Sequence, residues 1–172
     1  MRTKQIASGG KNTRSYPGRL LAIDPGSNKI GVAYFKGGEL EISAELRVSG
    51  KDIVKRLEKL KDKLTDFIAG IDAPEMVVVE FGGSIRMKGK NPHGIRTHDF
   101  AAGFLASSAV NQWGVPFEII PPLKWKGNVK KTTIQKNMSL IYSRKLGEDE
   151  AHAIGLGRWF LAVTRFNQLI NY

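Results

Sequence analysis

The chain has 172 residues and no cysteine, which excludes disulfide frameworks, zinc ribbons and thiol nucleophiles. Its length suits one domain with a substantial core. It contains no apolar stretch long enough to span a bilayer, and its N-terminus is polar and basic rather than signal-like. We therefore expect a globular cytoplasmic protein.

The formal net charge of +11 indicates a polyanionic partner. Residues 1–19 carry five basic residues and no acid, and their Gly, Ser and Asn content predicts a disordered tail. Segments 81–98 and 119–147 also lack acids, and neither resembles a membrane-anchoring amphipathic helix, so the charge favours nucleic acid. The basic residues predicted to contact DNA phosphates are Arg86, Lys88, Lys90, Lys124, Lys126, Lys130 and Lys131.

The first predicted elements are three strands in sequence. Leu20–Ile23 is a short apolar run that ends at Asp24 beside a Pro-Gly turn. Lys29–Lys36 follows as the second strand, and two glycines predict a hairpin into Glu39–Val48, where apolar and polar residues alternate. We expect these strands to form an antiparallel meander.

Helices and strands alternate after the meander. Apolar residues at helical spacing predict a helix over Lys51–Ala69, and the β-branched run of Glu75–Glu80 predicts a buried strand. The remaining predicted elements are a loop (Gly82–Arg96), a helix (Thr97–Trp113), a short strand (Phe117–Ile120), a basic loop (Lys124–Val129), a helix capped by Gly147 (Thr132–Lys145) and a last helix that starts at Asp149. This order predicts a single α/β domain over residues 20–172 with a mixed sheet.

Small residues crowd the predicted helix Thr97–Trp113, among them Ala101, Ala102 and Ala106. They indicate that another element approaches this helix closely. That element is either a helix of a second subunit or the sheet of the same molecule.

Acidic residues stand where two predicted strands end and where the last helix starts. Asp24 and Glu80 end strands that can lie side by side, whereas Asp149 and His152 are three positions apart and share a helix face. Carboxylates and imidazole bind Mg²⁺ or Mn²⁺, and two such ions about 4 Å apart can catalyse in-line phosphodiester hydrolysis. Each residue also has a structural interpretation: a turn cap for Asp24, a dipole-favoured acid for Asp149, a core histidine for His152.

Three motifs resemble the RuvC family of Holliday junction resolvases. They are AIDPGSNKIGVAYF, VVVEFGG and DEAHAIGLG, which occur in the family's order between residue 20 and about residue 160. The resemblance implies an RNase H-like fold, a homodimer, and cleavage of four-way DNA junctions with Mg²⁺, for which Mn²⁺ can substitute. It also implies a catalytic metal site formed by Asp24, Glu80, Asp149 and His152.

Two positions depart from the family pattern. His152 stands where bacterial members usually have Asp, which leaves Glu148 or Glu150 as an alternative fourth ligand. Phe81 is the predicted aromatic DNA contact, but it directly follows Glu80, whereas the resemblance implies such a residue in the loop beyond the glutamate. The basic tail and the loop around Trp125 are more similar to phage or viral versions, in a bacterial or infected host cell.

The predicted function is therefore a structure-selective endonuclease for four-way junctions. One alternative is a broader nuclease acting on flaps or forks, since the same site would serve. The other is a catalytically silent DNA-binding protein. The three carboxylates argue against the silent protein, because a binding module gains nothing from negative charge where phosphates dock.

Overall fold

A computed structural model of the chain describes residues 16–81 and 92–170, with residues 92–98 described by their backbone alone. The strands are β1 (Arg19–Asp24), β2 (Lys29–Lys36), β3 (Glu39–Arg47), β4 (Met76–Glu80) and β5 (Phe117–Ile120). The helices are α1 (Ile53–Ala69), α2 (Pro92–Trp113), α3 (Pro122–Trp125), α4 (Lys131–Ile141) and α5 (Glu148–Leu169). Within these ranges no helix is long and apolar enough to cross a membrane.

The strands form one mixed sheet in the order β3-β2-β1-β4-β5. The pairs β1–β2 and β2–β3 are antiparallel, whereas β1–β4 and β4–β5 are parallel. This arrangement confirms the predicted α/β fold, with a three-strand meander and two further strands. Because β1 and β4 are parallel neighbours, Asp24 and Glu80 end at the same edge of the sheet.

Strand parity places both carboxylates on one face of the sheet. Leu20 and Ala22 of β1, and Val78 of β4, pack into the core cluster that includes α5, whereas their odd-numbered neighbours pack against α1 and α2. Side chains alternate between faces along a strand. Asp24 and Glu80 therefore follow the even-numbered residues toward α5.

Gly31 lets the start of α5 approach the sheet closely. It is the register partner of Asp24 on β2, and a Cβ atom at this position would overlap the backbone carbonyl of Asp149. A side chain at position 31 would push the helix away. The close approach therefore brings Asp149 beside the end of β1.

Two boundaries around the predicted loops differ from expectation. α2 begins at Pro92 rather than Thr97, so residues 92–96 are helical; proline is well tolerated at a first helical position because its missing N–H has no partner there. A short helix, α3, overlaps the first two residues of the predicted basic loop Lys124–Val129, and its first residue is also a proline, Pro122.

The segment between α4 and α5 also differs. α4 ends at Ile141 instead of Lys145, and Ser143 adopts a left-handed φ of 50° that a helix cannot contain. Gly147 is the N-cap of α5 rather than a C-cap of α4, and α5 begins at Glu148. The end of the predicted tail belongs to the fold, since Arg19 begins β1; residues 1–15 lie outside the described residues.

Candidate active site

Three of the predicted metal ligands converge at the edge of the sheet. Asp24, Glu80 and His152 are buried, and one potential ligand atom from each lies within 4.8 Å of the others. His152 Nδ1 lies 3.4 Å from Asp24 Oδ2. The strand ends position the two carboxylates, and the second turn of α5 brings the imidazole to them.

Asp149, the fourth predicted ligand, is buried beside this group and is linked to it through Lys131. The Lys131 ammonium lies 3.3 Å from Asp24 Oδ2 and 3.2 Å from Asp149 Oδ1. The other Asp149 oxygen lies 3.1 Å from Lys29 Nζ. Asp149 therefore shares the lysine counter-charge of Asp24 and faces the same end of the sheet.

Lys126 provides the counter-charge for Glu80. Its Nζ lies 2.8 Å and 3.0 Å from the two Glu80 carboxylate oxygens and 3.3 Å from His152 Nδ1. The Lys126 side chain is only 10% exposed. Lys126 and Lys131, predicted as phosphate contacts, thus lie directly against the carboxylates.

These contacts favour the charged forms of Asp24 and Lys131. Burial raises the pKa of Asp24, but the hydrogen bond with His152 and the charge of Lys131 outweigh it, so the pKa lies below its usual value. Burial lowers the pKa of Lys131, but the charges of Asp24 and Asp149 more than offset this and raise it. At neutral pH Asp24 is therefore ionised and Lys131 protonated.

Trp125 is a site residue that the sequence interpretation missed. Its indole Nε1 donates a 2.7 Å hydrogen bond to Glu80 Oε2, and its ring meets His152 edge-on with 5.6 Å between centroids. The short helix α3 presents the ring to the site. The available signal was a tryptophan flanked by lysines in a segment without acids.

Glu45 is a second missed residue. Its buried carboxylate accepts a 3.0 Å hydrogen bond from the backbone N–H of Asp149, and Arg47 forms an ion pair with it. An acceptor at this place caps the first turn of α5, whose N–H groups have no helical partners. Nothing in the alternating sequence of β3 marks Glu45 as different from its other polar residues.

The two alternative fourth ligands point elsewhere. Glu150 accepts hydrogen bonds from Ser43 Oγ and Arg144 Nη2, both at 2.8 Å, and from the backbone N–H of Gly147 at 3.2 Å. Glu148 is partly exposed, with its carboxylate 3.7 Å from Lys29. The geometry therefore favours His152 over either glutamate.

Of the remaining predicted DNA contacts, the structure describes Lys124, Lys130 and Phe81. Lys124 and Lys130 are exposed, and the Lys124 ammonium lies 5.9 Å from the centre of the Trp159 ring. Phe81 lines an apolar cavity of about 280 Å³ between the sheet and α2. The predicted contacts that lie outside the described residues are Arg86, Lys88 and Lys90.

The donor set fits a hard divalent cation. Carboxylate oxygens and one imidazole suit Mg²⁺ or Mn²⁺. Asp24 Oδ1 is buried and has no hydrogen-bond partner in the described part of the chain, and an unpaired buried anionic oxygen is costly without a cation. A cation bound by Glu80 would take the place of the Lys126 ammonium.

No protein-family model matches the sequence, and no curated protein matches it. Its fold is similar to that of Thermus thermophilus RuvC, with a TM-score of 0.63 and 19% identity over 86% of this chain and 96% of that one. The structure of T. thermophilus RuvC in complex with a Holliday junction substrate gives a TM-score of 0.67 and 17% identity over 86% of this chain and 95% of that one. The yeast mitochondrial Holliday junction resolvase gives a TM-score of 0.58 and 11% identity over 89% of this chain and 83% of that one.

These similarities define the class of fold. The chain has an RNase H-like α/β fold, with the three-strand meander followed by two parallel strands. More narrowly, its architecture is RuvC-like over most of both chains, as the three sequence motifs implied.

Proposed function

We propose that this chain is a metal-dependent, structure-selective DNA endonuclease that resolves four-way junctions by phosphodiester hydrolysis. The observation that carries the proposal is the convergence of Asp24, Glu80 and His152 within 4.8 Å at the sheet edge of a RuvC-like fold. One of the solved structures with this fold is RuvC bound to a Holliday junction substrate. The site chemistry and the fold thus support the same reaction class.

Asp24, Glu80, His152 and Asp149 would hold the metal, with Mg²⁺ as the natural ion and Mn²⁺ as a substitute. The proposal includes two divalent cations. When bound, they would supply an activated water and would stabilise the charge on the leaving oxygen. The chain contributes ionised carboxylates held in place by buried contacts. Asp24 is already ionised near neutral pH, because its pKa lies below its usual value.

The lysines at the site prepare it for a polyanion. Lys126 and Lys131 place ammonium groups beside the carboxylates, where the scissile phosphate must approach. Lys124 and Lys130 add exposed positive charge next to Trp125 and Lys131 in the chain. These groups offset the repulsion that three carboxylates would otherwise exert on DNA.

A homodimer is part of the proposal. The cavity beside Phe81 continues into exposed apolar residues of β5, with Phe117 50% and Ile119 48% exposed. Such apolar surface is typical of a protein-protein interface. Ala101, Ala102 and Ala106 of α2 are buried within the subunit itself, whereas other small residues of this helix, Gly103 and Ser107, are exposed at the cavity.

The deciding experiment incubates the purified protein with end-labelled four-way junction, fork, flap and linear duplex, with and without Mg²⁺. Selective Mg²⁺-dependent cutting of the junction is expected, and Asp24→Asn is the matched inactive control. Equal cutting of forks and flaps would identify the broader nuclease. Binding of junctions without cutting in either Mg²⁺ or Mn²⁺ would identify a silent DNA-binding protein.

A further inference from the structure

A basic groove lies at the opposite end of the sheet from β5 and α3. It has a volume of about 410 Å³ and is open to solvent between the end of β3 and α1. Its lining residues are Arg47, Val48, Ser49, Lys59 and Lys63. Three of these five residues are cationic and none is acidic, so the groove is suited to an anion.

The two lysines of the groove are free to bind a ligand. Lys59 and Lys63 are four residues apart on α1 and therefore share one face of the helix. Both are exposed, and in the described part of the chain neither has an ion-pair partner. Arg47 is 68% exposed although it pairs with Glu45, so its guanidinium also faces solvent.

The groove adjoins the candidate active site. Arg47 is the register partner of Lys29 on the neighbouring strand β2, and Lys29 Nζ lies 3.1 Å from Asp149 Oδ2. Neighbouring strands are about 4.8 Å apart, so the groove starts roughly one strand beyond the lysine that contacts the carboxylate. The ion pair of Arg47 with Glu45, whose carboxylate accepts a hydrogen bond from the Asp149 backbone N–H, therefore links the groove to the start of α5.

We propose that Arg47, Lys59 and Lys63 bind the phosphate backbone of the DNA arm that leaves the site over β3. The inference rests on the proposed function and adds a second flank to it, because Lys126 contacts Glu80 of β4, which lies on the other side of β1 from β3. Each DNA strand carries one phosphate about every 3.4 Å along the axis, so three neighbouring cations can contact successive phosphates. Contacts of this kind position the duplex without reading its sequence.

The test compares two variants of the same helix. Lys59→Ala with Lys63→Ala removes two groove charges, whereas Lys61→Ala removes an exposed charge on the other side of the helix that does not line the groove. Alanine favours helix in both. Arg47 is left intact, because its partner Glu45 also caps α5.

Junction binding is measured in EDTA over a salt series, and cleavage is measured separately with Mg²⁺. Each lost phosphate contact reduces the magnitude of the slope of log affinity against log salt by about 0.9. The slope of the groove variant should therefore be smaller by about 1.8, and that of the control variant should be almost unchanged. Equal slopes in wild type and groove variant, or an equal loss of slope per removed lysine in the groove variant and in Lys61→Ala, would overturn the groove. If the wild type cuts junctions but the groove variant has the wild-type salt slope, the proposed function is supported and the groove is not a DNA contact. A wild type that binds no DNA would overturn both.

Discussion

Replacing Trp125 with phenylalanine tests how the site holds Glu80. The change keeps an aromatic ring beside His152 and removes the indole N–H that donates to Glu80 Oε2 at 2.7 Å. Hydrogen bonds to charged groups contribute about 1.5–3 kcal/mol, which corresponds to roughly 10- to 150-fold. Loss of a group that orients a metal ligand costs about 10- to 100-fold in metal affinity or activity.

We expect the effect to lie near the lower end of these ranges. Lys126 remains within 2.8 Å and 3.0 Å of the Glu80 oxygens, so the carboxylate keeps a partner after the substitution. Trp125→Phe should therefore reduce cleavage by about 10-fold at limiting Mg²⁺, with partial recovery as the metal concentration rises. Because the glutamate stays paired, the free energy of unfolding should change by no more than about 1–3 kcal/mol.

The assay is single-turnover cleavage of a four-way junction over a Mg²⁺ series, with denaturant unfolding measured in parallel. Trp159→Phe is the matched control, because Trp159 packs against the core cluster that includes α5 and contacts Lys124 rather than a carboxylate. Identical metal dependence in the two variants would refute a positioning role for Trp125. It would then be only a packing residue above Gly155.

Substitutions at four further positions have defined expected outcomes. Asp24→Asn should abolish cleavage but keep or tighten junction binding in a gel-shift assay, since it removes a metal ligand and a charge that repels phosphate. His152→Ala should lose most activity, whereas His152→Asp should keep Mg²⁺-dependent cleavage with a smaller preference for Mn²⁺; normal cleavage by His152→Ala in both metals would remove it from the site. Lys126→Gln should tighten Mn²⁺ binding to the DNA-free protein in calorimetry, because the competing ammonium is lost; weaker binding would contradict that competition. Glu45→Ala should lower the free energy of unfolding by about 0.5–2 kcal/mol through loss of the α5 cap and should slow cleavage; unchanged stability in denaturant would argue against the cap.

The strand ends and the last helix could be predicted because local patterns specify them. The apolar run before Asp24 and the β-branched run before Glu80 each define a buried strand without help from distant residues. The spacing of Asp149 and His152 on α5 fixes their common face. What the patterns left open was whether the strands would be neighbours, and the strand order answers this.

The contacts that surround the carboxylates could not be predicted in the same way. Trp125 and Glu80 are 45 positions apart, and Glu45 caps a helix 104 positions later in the chain. Such contacts depend on how α3 and α5 pack against the sheet, which no local pattern encodes. The early end of α4 has a similar cause, because the left-handed Ser143 is set by the turn that leads into α5.

The site is electrostatically balanced by lysines that come from three different elements. Lys29 of β2, Lys126 after α3 and Lys131 of α4 each lie within 3.3 Å of a carboxylate oxygen of Asp24, Glu80 or Asp149. Buried carboxylates held this close would repel one another without counter-charge, so these ion pairs allow the sheet edge to form before any cation binds. Under the proposed function, a cation bound by the carboxylates would take the place of these ammonium groups as their partner. The ammonium groups would then be available to a phosphate, so the same side chains would both stabilise the fold and contact the DNA.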